Sequence, residues 1–144
     1  MVDKNMVKGK INLIQNDLRQ LSRFKNYSFE QIVQSYDTHK IIERILEVIV
    51  NEAIDINQYL IAESNLGKLP FDFKESFMLL TKLNVYPHDF AEEISKSVGL
   101  RNILVHQYRE LDERIFYQAV QLCLNHYLKY CDYILKYLEK NSQK

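Results

Sequence analysis

The stretch Val7-Lys8-Gly9-Lys10-Ile11-Asn12-Leu13-Ile14-Gln15-Asn16-Asp17-Leu18-Arg19-Gln20-Leu21 sets the fold class. Val7, Ile11, Ile14, Leu18 and Leu21 recur at alternating steps of four and three, which places them on one stripe of an α-helix. Polar Asn26-Tyr27-Ser28 follows, and Ser28 with Gln31 three residues on has the spacing of a capping box. A short helix is therefore expected from Ser28 to about Tyr36, with a bend at Asp37-Thr38. A long helix should follow to about Ser64, burying Ile42, Ile45, Ile49, Ala53, Ile56 and Leu60. Asn65-Leu66-Gly67 is its expected stop, because Gly67 tolerates the left-handed conformation found beyond helix ends.

Beyond Pro70, either Asp72 or Asp89 can cap a new helix. One is expected from about Phe73 to Leu83, and another from Asp89 towards residue 101. The last helix should begin near Asp112 and bury Ile115, Phe116, Ala119, Val120, Leu122, Tyr127, Cys131, Ile134 and Leu138. The expectation is an all-α fold, an up-and-down bundle of four to five helices, as a single domain over residues 1–144.

Composition agrees with that plan. Three Gly and two Pro in 144 residues are too few for the many turns of a sandwich or barrel. Nineteen basic residues balance nineteen acidic ones, so any nucleic-acid site must be local or be assembled from two chains. Cys123 and Cys131 lie eight apart in a helical pattern, about 12 Å along the axis and beyond disulfide reach. No apolar run is long enough to span a membrane, and a cytoplasmic location is expected.

Chemistry concentrates in Arg101-Asn102-Ile103-Leu104-Val105-His106-Gln107-Tyr108. Asn102 and His106 are four apart, one above the other on a helix. Arg101 stands about 140° around from His106 on an ideal helix, so the two meet on one phosphate only if the helix ends or distorts near His106. Such a cluster suits metal-free RNA transesterification. Histidine titrates near neutral pH and can move both protons. Arginine's planar fork can hold the phosphate as charge develops. One histidine per chain does not readily serve as both acid and base, whereas a two-fold dimer would supply two.

The Arg-Asn-x3-His core resembles the HEPN superfamily motif, and the eight-residue segment is similar to the fuller form of HepT-type toxins. Ala53-Ile54-Asp55-Ile56 and residues 109–116 also resemble that family, in the same order along the chain. The resemblance implies an endoribonuclease toxin of a toxin–antitoxin module, needing no cofactor or metal. Arg101 and His106 would be its catalytic pair, and Asn102 an adjacent polar helper. It implies a homodimer, an RNA substrate and an MntA-like nucleotidyltransferase antitoxin that adds AMP to Tyr108. Asp55, off the main apolar stripe, could orient Arg101 or form a purely architectural ion pair.

Other readings stay open at this level. Arg101, His106 and Tyr108 can be structural residues at a helix end. The chain could instead be a non-catalytic helical module that binds a nucleotidyltransferase or a nucleotide. Cys123, His126 and Cys131 lie loosely on one side of the last helix, without a further ligand at metal spacing. Tyr117, Tyr127, Tyr130, Tyr133 and Tyr137 can stack on bases or pack between helices. Lys4, Lys8, Lys10 and Arg19 form a solvated face or a track for an RNA backbone.

Overall fold

A computed structural model describes residues 1–106 and 112–142, without the side chains of Val105, His106 and Ser142. The described residues form seven helical segments and no strand: α1 (Lys4–Ser22), α2 (Phe29–Val33), α3 (Tyr36–Ala62), α4 (Phe73–Leu79), α5 (His88–Ser95), α6 (Ser97–His106) and α7 (Glu113–Ser142). The fold is the expected all-α bundle. Its five principal pieces are α1, α3, α4, the α5–α6 pair and α7, with α2 as a short connector.

Local chemistry explains most of the boundaries. Asp3 caps α1 by accepting from the Met6 N–H, and the Val7-to-Leu21 stripe is fully buried. Ser28 and Gln31 form the capping box, each side chain accepting from the other's backbone N–H at 3.2 and 2.8 Å. The break between α2 and α3 comes earlier than Asp37-Thr38. Ser35 is the N-cap of α3, accepting from the Thr38 N–H, and Asp37 lies inside the first turn. Of the α3 stripe, Ile45 is only partly buried, while Leu46, Val50, Ile54 and Ile61 join the core.

Gly67 is left-handed, φ 64°, but it lies four residues beyond the C-cap Glu63 and not directly at the helix end. Asp72 caps α4 through the Glu75 N–H, and Glu75 accepts in return from the Phe71 N–H. Asp89 caps nothing. Pro87 is the N-cap of α5, and Asp89 sits in the first turn, where its charge favours the helix dipole. The helix expected from Asp89 to the motif is interrupted at Lys96. Ser95 and Ser97 turn their hydroxyls onto the Glu92 and Ile94 carbonyls, a local bond that competes with the helical ladder.

Three long helices frame the core. α1 runs antiparallel to α3, with the Asp3 N–H on the Tyr59 hydroxyl at one end and Lys10 on Glu52 further along. α7 runs in the same direction as α3: His39 stacks on Phe116 near their starts, and Tyr130 meets Ala53 and Asn57 further on. The α4–α6 region covers the remaining side, α4 and α6 both lying against α3. α7 begins as expected, Asp112 accepting from the Arg114 N–H. Ile115 and Leu122, expected inside, are instead about half exposed at 52% each.

A buried polar chain locks these layers together. The Tyr130 hydroxyl lies 2.6 Å from Asn57 Oδ1 and 3.1 Å from the Ala53 carbonyl. Asn57 Nδ2 donates to Ser76 Oγ, whose hydroxyl donates to the Phe73 carbonyl at 2.6 Å. α7, α3 and α4 are thus tied in register at one level. Tyr130→Phe should leave the buried Asn57 oxygen without its close donor and cost about 1–3 kcal/mol, read as a lower urea midpoint. An unchanged midpoint would show that this network does not contribute to stability.

Candidate active site

Arg101 projects from α6 into a setting built by three elements. Its Nε–H donates to Asn51 Oδ1 of α3 at 2.8 Å. Its Nη1 donates to Asn102 Oδ1 at 3.1 Å. The guanidinium carbon lies 5.2 Å from the centre of the Phe73 ring, at the first residue of α4. That is the geometry of a cation–π contact. Among the described residues Nη2 has no hydrogen-bond partner. The side chain is therefore held on one edge and one face, with a charged corner left for an anion.

The expected site residues separate. Arg101 and Asn102 are in contact, with Asn102 exposed and on the outer side of the guanidinium. Residues 101–106 are helical in α6, so the turn of about 140° between positions 101 and 106 persists within one chain. The helix ending expected after His106 and the modification site expected at Tyr108 both lie outside the described residues. Asp55 does not reach Arg101. Its carboxylate is largely exposed and lies 3.6 Å from Lys10 Nζ, which also pairs with Glu52 at 3.2 Å. Asn51, one turn earlier on α3, takes the place expected of Asp55. An asparagine beside a glutamate in a helix carries no spacing signal, so sequence reasoning missed it.

The remaining candidates have ordinary partners. Tyr127 and Tyr130 are fully buried, and the Tyr127 hydroxyl meets Ser97 Oγ at 2.7 Å. Tyr133 packs against Tyr86 and Phe90, and Tyr117 lies edge-on to Phe29. These are packing residues, not a stacking platform. Burial pushes the Cys123 and Cys131 thiols up to about 12. Burial also lowers the pKa of His126; Glu93 opposes the shift, and Lys129 and Lys96 add to it. No three His, Cys, Asp or Glu side chains among the described residues are grouped as metal ligands. His39 and His88 each face a glutamate one turn on, Glu43 at 2.7 Å and Glu92 at 3.4 Å.

Residues 14–134 match the model of the HepT-like family, described as ribonuclease HepT-like. The tRNA nuclease HepT of Aphanizomenon flos-aquae is 32% identical over 137 residues, covering 95% of this chain and 92% of that protein. The tri-AMPylated HEPN toxin of Shewanella oneidensis, solved in complex with MNT antitoxin, superposes with a TM-score of 0.82 at 27% identity. The match covers 94% of this chain and 99% of that one. The cytosolic protein YutE of Bacillus subtilis, 18% identical with a TM-score of 0.82, shares the fold. Fold and family match together define a helical ribonuclease. The chain belongs to the HepT-like ribonuclease family. Its enzyme class is endoribonuclease.

Proposed function

We propose that this chain is the ribonuclease toxin of a two-component toxin–antitoxin module, with a minimal nucleotidyltransferase of the MntA kind as its antitoxin. The observation that carries the reading is the Arg101 guanidinium at the head of the Arg-x4-His-x-Tyr segment, held by Asn51, Asn102 and Phe73, with Nη2 unengaged among the described residues. Arg101 binds the scissile phosphate. The ribose 2′-hydroxyl attacks phosphorus as His106 removes its proton. The 5′-oxygen leaves with a proton from a second His106, giving a 2′,3′-cyclic phosphate and a free 5′-hydroxyl. Asn102 assists at the phosphate. Because Arg101 and His106 diverge along α6, a homodimer that apposes two α6 helices supplies both histidines and pools their positive charge. No metal takes part, and the protein works as one domain in the cytoplasm.

Tyr108 is the control point in this scheme. The partner nucleotidyltransferase transfers AMP to its hydroxyl, and the added bulk and negative charge block phosphate entry beside Arg101. Support comes from the Shewanella oneidensis toxin, which is tri-AMPylated and in complex with its antitoxin. The purified chain is expected to cut RNA in excess EDTA. Co-expression with the nucleotidyltransferase should add AMP units that Tyr108→Phe escapes. Failure of the wild-type chain to cut any RNA would leave a helical module that only binds the nucleotidyltransferase or a nucleotide. Suppressed toxicity with no adduct at Tyr108 would place neutralisation in binding alone.

A further inference from the structure

We infer that Asn51 is a positioning residue for the cleavage reaction, fixing the rotation of the Arg101 guanidinium so that its Nη2 corner meets the scissile phosphate. The inference rests on the ribonuclease reading and goes beyond it. An unrestrained arginine can approach a phosphate by its Nε–Nη2 edge, by its Nη1–Nη2 end, or by a single donor. Here Asn51 Oδ1 already accepts from Nε at 2.8 Å, which closes the first of these. Asn102 Oδ1 lies 3.1 Å from Nη1 and draws on the second. The guanidinium carbon lies over the Phe73 ring at 5.2 Å, a cation–π contact that favours this placement. Among the described residues what is left is Nη2, in an orientation set chiefly by Asn51 of α3.

The clamp is stiff because its parts are fixed elsewhere. Asn51 stands on α3 next to Val50 and near Ala53, both buried in the core. Phe73 is held by Asp72 and Glu75 at the start of α4 and by the Ser76 hydroxyl on its carbonyl. Asn51 is a neutral acceptor, so it orients the guanidinium without cancelling its charge. An aspartate there would orient equally but weaken the attraction for phosphate. That distinguishes Asn51 from Glu52 and Asp55, whose charges are directed to Lys10.

The test compares Asn51→Leu with Asn51→Asp. Leucine removes the acceptor at similar volume, and aspartate keeps it. Asn51→Leu should lower kcat roughly 10²-fold, as expected for a misplaced catalytic group, with KM for RNA changed by less than about threefold. Asn51→Asp should recover most of the kcat loss, with KM for RNA raised by the added negative charge. Independently of any activity, the Arg101 Nε–H signal in ¹⁵N NMR should exchange slowly in wild type and in Asn51→Asp, and quickly in Asn51→Leu. Wild-type kcat in Asn51→Leu, or equal losses in both variants with the Nε–H signal unchanged, would overturn the inference. A wild-type chain inert towards RNA would sink the ribonuclease reading alone, since the Nε–H signal still decides whether Asn51 holds the guanidinium.

Discussion

His106→Ala is expected to lose RNA cleavage by about 10³-fold or more while unfolding at nearly the wild-type urea concentration. Removing one general acid or base ordinarily costs 10²- to 10⁴-fold, and in the proposed dimer a single substitution removes both. Residues that act as a unit are not additive, so Arg101→Ala combined with His106→Ala should be little worse than either alone. Stability should hold because His106 is helical within α6, where alanine is a better helix former. The two positions differ in one respect. Arg101 makes tertiary contacts to α3 and α4, so Arg101→Ala should also lower the midpoint, by about 1–2 kcal/mol, through its lost bond to Asn51. Gel assay of a defined RNA in EDTA and a urea titration of each variant check both halves. Residual wild-type cleavage in His106→Ala would assign the activity to a contaminant or to another residue.

What could be read in the sequence was what repeats or caps within a few residues. The Val7-to-Leu21 stripe, the Ser28–Gln31 box and the Asp72 and Asp112 caps are local signals, and the structure realises each of them. Errors arose where two local signals competed. Ser35 and Asp37 are both good cap residues, and the backbone chose Ser35. Asp89 has the chemistry of a cap residue, but α5 starts one residue earlier, at His88, with Pro87 as its N-cap. The exposure of Ile115 and Leu122 depends on which sides of α7 face α1, α2 and α3, and periodicity cannot tell one buried side from another.

The site followed the same rule. Arg101, Asn102, His106 and Tyr108 are contiguous, so the motif was legible as a string. Its supporting groups were not. Asn51 and Phe73 are 50 and 28 residues before Arg101, and they meet it only through the register of α3, α4 and α6. The expectation for Asp55 had the right helix and missed by one turn. The polar chain from Tyr130 through Asn57 to Ser76 helps set that register, and none of its members has a sequence signature.

Stability is expected to collapse in alkali, beginning near pH 9. The cause is the set of weak acids on α7 and the segment before α5. Burial holds the Cys123 and Cys131 thiols at about 12, against 9.0 for a free thiol. Burial likewise raises the Tyr86, Tyr127 and Tyr130 phenols well above 10.0. Each group keeps its proton in the folded chain over a range in which the unfolded chain gives it up. The folded state therefore binds more protons than the unfolded state, and stability falls as pH rises. The contribution is fully present below pH 9 and is lost progressively towards 12, first through the thiols and then, above 10, through the phenols. All five shifts have the same sign, so their contributions to the loss of stability in alkali add. Urea midpoints should be level from pH 7 to 9 and then drop steeply, with phenolate absorbance appearing cooperatively as the chain unfolds. In Cys123→Ala/Cys131→Ala the onset should move up towards pH 10, where only the phenols remain to titrate. A level midpoint through pH 11 would mean that the folded chain releases these protons in place.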